Sequence, residues 1–300
     1  MTKTPTAKPK FDIYQVITDQ IIEALEAGIC PWRCPWQKIG GVPRNYNGRP
    51  YRGINKFLLA MKSMSKGWTH PVFMTYHQAT ELGGQVRKGE KSTLVTLWKQ
   101  LVPKKYKANP KACPKKEIIW MMRHFNVFNH SQIDGLPALD VPEIVEFDHS
   151  PIEECERLLA EMPDPADIRH GGDRAFYRPS RDFIQMPEIK QFPEIENYYA
   201  TLYHELGHWT GAAHRLDRKE DKGQGFGSPG YAREELTAEM TSAFLCGQTG
   251  IAPAILENSA AYVANWLSAL KGDKKLVFAA ASKAQRAADY IAPAGELEPA

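Results

Sequence analysis

The chain has no run of about 18 apolar residues, which excludes a membrane-spanning helix. Met1 to Lys10 is polar and basic, and no apolar core follows it. A secretory leader is therefore not expected, and a cytoplasmic protein is. Cysteine is scarce: five residues, an odd number, at positions 30, 34, 113, 155 and 246. That argues against a disulfide scaffold, and a lone Cys30-x₃-Cys34 does not make a metal site, so reduced thiols are expected. There is no internal repeat, which argues against a solenoid or propeller. No basic helix of the kind that enters a duplex groove is visible. Lys and Arg are absent between Gly135 and Phe147, where two prolines mark a linker at 135–147. A chain of 300 residues can form two domains, or one large one, with ample core.

Charge is present but unevenly divided. The formal net charge is +3, yet residues 1–130 hold 22 Lys and Arg against 7 Asp and Glu, and residues 131–300 hold 16 against 28. A basic half joined to an acidic half predicts a polyanion-binding module fused to something else. The basic loops interleave aromatics with arginines at Trp32, Trp36, Arg44, Tyr46, Arg49, Tyr51 and Arg52. Cations that track phosphates and rings on which bases stack are what single-stranded nucleic acid needs. For Trp32 and Trp36 the alternative is a core position held by Pro-rich turns. Lys104 and Lys105, continuing through Lys107, Lys111 and Lys115-Lys116, read as a mobile basic hairpin tip between strands expected at Thr93–Trp98 and Ile118–Phe128. The basic half alone is expected to bind single-stranded DNA.

The acidic half contains His204-Glu205-Leu206-Gly207-His208 inside a helical pattern marked by Ile195, Tyr198, Tyr199 and Leu202. Histidines four apart project from one face, one turn apart. That span lets two ring nitrogens bind one Zn²⁺ at roughly 2.0–2.1 Å, with Mn²⁺ as an alternative divalent ion. Glu205 is placed to take a proton from water beside the ion, the role of a general base in metal-assisted hydrolysis.

A third protein ligand is required. Glu235 and Glu239 lie one turn apart on a second helical stretch whose Leu236, Met240, Ala243 and Phe244 can pack. Inward carboxylates beside an apolar stripe are costly unless they bind something. Glu235-x-x-Ala238-Glu239 resembles the pattern of gluzincin-type metallopeptidases. That resemblance makes Glu235 the ligand and Glu239 the residue that orients a ligand histidine, although Glu stands where those enzymes have Asp. Glu234 is one position off that face and is read as solvated. The rival third ligand is His214, which with Gly211 fits metzincin spacing. Tyr231 is a candidate oxyanion donor or a structural residue. Gly223, Gly225, Gly227 and Gly230 form either a lid or a plain connector before the ligand helix.

Several motifs together carry a wider resemblance. Pro31-Trp32-x-x-Pro35-Trp36, Pro43-Arg44-Asn45, Tyr51-Arg52-Gly53-Ile54-Asn55, Thr75-x-x-Gln78-Ala79 and Gly83-Gly84-x-Val86-x-Lys88-Gly89-Glu90 resemble the N-terminal domain of ArdC-type antirestriction proteins. His204 to Gly211, Arg215-Leu216-x-Arg218 and Glu234-Glu235-Leu236-x-Ala238-Glu239 resemble the zincin-like metallopeptidase domain that follows it there. The resemblance implies an α+β protein of two domains. These are a basic single-stranded-DNA-binding domain at 11–134, which includes Lys88, and a metallopeptidase domain at 148–300, after a disordered segment 1–10. It also implies protection of incoming conjugative plasmid DNA from host restriction, with an unidentified protein substrate, possible members of the restriction system among them. The alternatives are a DNA-binding shield with a silent metal site, or a protease of DNA-bound proteins. Relatives carry a histidine where this chain has Ala212.

Overall fold

Asp12 starts the first helix: its carboxylate accepts the Tyr14 and Gln15 N–H groups, and Ile17, Ile21 and Leu25 then bury one face of α1 (Ile13–Glu26). The computed structural model of the protein describes residues 11–33, 36–106, 109, 113–136, 151–218, 229–252 and 259–293. The expected linker after Leu136, the disordered segment 1–10, the glycines at 223, 225 and 227, and Lys107 and Lys111 lie outside them.

Two 3-10 turns, at Pro31–Arg33 and Trp36–Ile39, precede β1 (Arg44–Asn45) and α2 (Ile54–Lys66). Gly67 closes α2 in the left-handed conformation. Next come β2 (Val72–Met74), α3 (Tyr76–Glu81) with a Thr75–Gln78 capping box, β3 (Gln85–Val86), β4 (Thr93–Leu101), β5 (Ile119–Asn129) and β6 (Ile133–Asp134). A four-stranded sheet runs β1-β2-β5-β4, and β3 pairs with β6. The β4–β5 ribbon is antiparallel over nine residue pairs, from Thr93↔Val127 to Leu101↔Ile119.

The second segment has α4 (Pro151–Ala160), β7 (Asp167–His170), β8 (Phe176–Arg178), β9 (Phe183–Met186), α5 (Ile195–Trp209), α6 (Pro229–Thr249), α7 (Ser259–Gly272) and α8 (Leu276–Ile291). Its sheet runs β7-β9-β8, leaving β8 at an edge. Helix α6 buries Leu236, Ala238, Met240, Thr241, Ala243, Phe244, Leu245 and Cys246, so it is enclosed on every side. It packs against α4, α5, α7 and α8.

The basic and acidic segments share one core. Ile17, Trp32, Trp36 and Phe57 belong to the same buried cluster as Leu206, Met240, Phe244 and Trp266. The Phe57 ring stacks on Phe244 at 4.8 Å, and Trp32 meets Trp266 edge-on at 5.3 Å. The Trp36 indole N–H donates to the Ala243 carbonyl at 3.1 Å. Trp32 and Trp36 are thus 1% and 3% exposed, and their expected role as stacking platforms for bases is corrected here. Trp32 and Trp36 fill the joint between the segments, where full burial of each aromatic contributes about 2–3 kcal/mol.

Candidate metal centre and nucleic-acid interface

Helices α5 and α6 touch where Gly207 faces Ala238. A Cβ on Gly207 would lie 2.9 Å from the Ala238 Cα and 3.3 Å from its carbonyl oxygen. The missing side chain lets the helices close, and His204 and His208 on α5 then meet Glu235 on α6. The two Nε2 atoms stand 3.1 Å apart. Glu235 Oε2 is 3.6 Å from His204 Nε2, and Oε1 is 3.4 Å from His208 Nε2. Three donors bonded at 2.0–2.1 Å to a tetrahedral ion lie about 3.3 Å from one another. The triangle therefore fits a divalent ion, and among the described residues it is the one His/Cys/Asp/Glu cluster with ligand spacing.

The electrostatics favour a cation there. Burial alone would push the His204 imidazole down, but Glu235, Glu205 and Glu239 outweigh it and hold it up at about 9. His208 is raised too, its burial overcome chiefly by Glu235 and Glu234. Burial would raise Glu235, yet the two imidazoles and a hydrogen bond from Tyr231 hold it at about 2. Tyr231 thus donates to the ligand carboxylate.

Glu205 is buried, and its Oε2 accepts the Tyr177 backbone N–H on edge strand β8 at 2.8 Å. That bond aims the carboxylate without consuming its second oxygen. His214 points elsewhere. Its Nε2 sits 3.1 Å from Asp182 on an exposed surface, so the metzincin arrangement is not formed.

The residues behind the ligands differ from expectation. Glu239 forms no hydrogen bond to either ligand histidine; its Oε1 and the His204 Nδ1 are both buried without a hydrogen-bond partner. Arg33, contributed by the N-terminal segment, stands 3.6 Å from that Oε1, and the charge of His204 acts on the same carboxylate. Glu234, read as solvated, stands 3.5 Å from the His208 Nδ1 and receives a two-pronged bond from Arg218 at 2.7 and 3.2 Å. Arg218 also donates to the Gly207 carbonyl at 2.5 Å and to the Thr210 hydroxyl at 2.7 Å. It locks the end of α5 to α6. Arg215 ion-pairs with Asp164 and Asp182 and stacks 3.6 Å from the Trp209 ring centre.

The expected nucleic-acid residues are scattered. Arg49, Lys88 and Lys104 are exposed. Lys105 is exposed but paired with Glu117 at 2.6 Å, and Arg52 is paired with Asp289. Arg44, Tyr46 and Tyr51 are half-buried, with Tyr46 packed beside the Val72 cluster and Tyr51 edge-on to Phe73. The exposed aromatics are elsewhere, on the β4–β5 ribbon: Trp98 at 48% and Trp120 at 56%, with Phe125 nearby. Trp98 pairs with Met122 and Gln100 with Trp120, so both indoles stand on one face. The distal part of the ribbon is bare.

Comparison with known proteins covers both segments. Residues 11–128 match the family described as the N-terminal domain of anti-restriction factor ArdC, and residues 153–283 match the zincin-like metallopeptidase family. The chain is 39% identical to the uncharacterized protein y4eC of Sinorhizobium fredii, over 97% of this chain and 95% of the relative. It is 41% identical to DNA primase TraC of Escherichia coli over 95% of this chain but only 20% of that protein. In a second TraC the share is 27%. The crystal structure of the Mn(II)-bound antirestriction ArdC protein from the R388 plasmid superposes with a TM-score of 0.77 at 41% identity, covering 94% of this chain and 97% of that one. Its metal-free structure gives 0.75 at 40%. Among the described residues no helix is long and apolar enough to cross a membrane.

Proposed function

The chain belongs to the family of ArdC anti-restriction factors, and from that premise we propose that it is a cytoplasmic protein that binds single-stranded DNA, carries a zinc-dependent hydrolytic site, and protects incoming plasmid DNA from host restriction. The observation that carries the hydrolytic reading is the donor triangle of His204, His208 and Glu235 with Glu205 held beside it. A divalent ion held by those three residues supplies a Lewis acid for water and for a peptide carbonyl. Glu205 takes the proton of the attacking water and returns it to the leaving amine, while Tyr177 keeps its carboxylate in place. Glu234, by engaging the second nitrogen of His208, sets the orientation of that ring. The substrate is a protein, and a component of the restriction system is the proposed class. The Mn(II) in the R388 relative supports a divalent ion, with zinc the fit to a two-histidine, one-carboxylate donor set.

The DNA reading rests on the ribbon. Trp98 and Trp120 offer ring faces, Lys99 and Arg123 lie on the opposite face, and Lys104 and Lys105 extend from its tip. The likeness to a fraction of a DNA primase supports a module that works beside DNA.

Restriction of incoming DNA measured with Glu205→Ala beside the wild type tests the hydrolytic part. Protection that vanishes while DNA binding persists supports hydrolysis. Protection that survives supports a DNA shield with a catalytically silent site.

A further inference from the structure

Lys56 is a buried cation without a counter-ion among the described residues. It sits in the first turn of α2, 5% exposed, and its Nζ makes no hydrogen bond or ion pair there. Its contact is the Phe244 ring, 4.4 Å from the ring centre. Burying an ammonium without acceptors is costly, and the positive end of the helix dipole adds to the cost. Burial and neighbouring Arg52 lower its pKa to about 8 against the opposing pull of Asp289, so the group still carries a proton at neutral pH. Such an arrangement is stable when an anion completes it.

Lys56 lines a cleft of about 840 Å³ between the two segments. The other cations on its walls divide cleanly. Arg157 is tied to Glu154 and Glu161, and Arg52 to Asp289. Lys56 and Arg49 are left uncompensated. Glu154, Glu161 and Asp289 line the cleft beside these cations, four cations against three carboxylates; Tyr51, Leu158 and Ile291 add apolar surface, and the amides of Gln248 and Gln285 add polar points. The volume is far larger than inorganic phosphate needs and falls in the range of small-molecule sites with an apolar body and few charged contacts. Gln248 lies about 20 Å along α6 from Glu235, so the cleft is separate from the metal centre.

We propose that this cleft is a nucleotide-binding pocket in which a phosphomonoester seats on Lys56 and Arg49 and the nucleoside packs against Tyr51 and Leu158. The phosphomonoester belongs either to a free nucleotide or to the 5′ end of a DNA strand. The proposal stands apart from strand binding by the ribbon, which needs no chain end.

Calorimetric titration of the full chain tests it, with thymidine 5′-monophosphate, thymidine, a single-stranded oligonucleotide with and without a 5′-phosphate, and a single-stranded circle. The expected result is that thymidine 5′-monophosphate or the phosphorylated oligonucleotide binds at least about tenfold more tightly than its unphosphorylated counterpart. Lys56→Met should abolish that preference while melting at or above the wild-type temperature. Should Lys56→Met fail to fold, Arg49→Ala should still reduce the preference. Binding of the free nucleotide identifies that source; a preference confined to the oligonucleotide identifies the strand end. Circle binding should be unchanged in Lys56→Met. Absence of any phosphate preference in the wild type, a preference that survives both substitutions, or an equal loss of circle binding would overturn the proposal.

Discussion

Two imidazole nitrogens 3.1 Å apart leave room for a shared proton or for one metal ion, and the Glu235 carboxylate closes the triangle on the side of the ion. His204→Ala, His208→Ala and Glu235→Ala should each abolish stoichiometric binding of a divalent ion, whereas Glu205→Gln should keep it. Elemental analysis of purified variants checks this, and metal-free wild type or a metal-free Glu205→Gln would refute it. Because His204 holds its proton up to about 9, an ion must displace that proton at neutral pH. Affinity should therefore climb as pH rises from 7 toward 9, by up to about tenfold per unit. Glu234→Ala should weaken binding about 10–100-fold and Glu239→Ala less, since Glu234 reaches a ligand histidine and Glu239 does not. The histidine pair and its base were legible because their geometry is local to one helix. The order of the acids behind them was not. Successive positions on a helix differ by about 100°, so which of Glu234 and Glu239 meets a histidine depends on how α6 is turned against α5.

That turn is set by two small residues. Gly207 and Ala238 let α5 and α6 approach until a single methyl on Gly207 would collide with backbone. Gly207→Ala should cost about 1–3 kcal/mol of stability and weaken ion binding by pushing His204 and His208 away from Glu235. Thermal unfolding and ion titration measured together check it, and unchanged affinity would show that the contact does not position the ligands. The loop after α5 is held by Asp182, whose carboxyl Arg215 keeps at about 2 with help from Tyr177. A carboxylate depressed in the fold stabilises it above its unfolded value of about 3.9, and that contribution disappears as pH falls through about 2. The stability gap between wild type and Asp182→Asn should be full at pH 5 and close toward pH 2. A pH-independent gap in urea unfolding would rule this out. Helix α5 was readable from the spacing of its apolar residues, but the tryptophan loop was not. Trp32 and Trp36 have the composition of a stacking surface, and only the arrival of α6 and α7 decides that they face inward. Trp98 and Trp120 fall within the strands expected at Thr93–Trp98 and Ile118–Phe128, and local sequence does not tell that nothing packs over the distal ribbon.

Across the whole molecule the basic segment is not an autonomous lobe resting on the acidic one. Arg33 reaches the acid next to the metal centre, Trp36 bonds α6, and Phe57 stacks on Phe244. The charge asymmetry read from the sequence is real, but it divides a surface and not the core, which is continuous through both segments. This changes what a DNA-binding experiment should find. In the full chain, Trp98→Ala and Trp120→Ala should each cost about 1–3 kcal/mol of affinity for single-stranded DNA while leaving the melting temperature close to wild type. Trp32→Ala should do the reverse. It should cost about 3–5 kcal/mol of stability by opening a cavity at the joint, and reduce DNA binding only as far as it unfolds the chain. Residues 1–130 taken alone would expose Trp32, Trp36 and Phe57 and lose the α6 and α7 surfaces that bury them. The isolated segment should therefore be partly unfolded or self-associated, and bind single-stranded DNA more weakly than the whole protein despite its higher net positive charge. Circular dichroism and fluorescence anisotropy on the two lengths decide the matter. A well-folded 1–130 fragment with undiminished affinity would mean that the shared core holds the segments together without being needed to form the DNA surface.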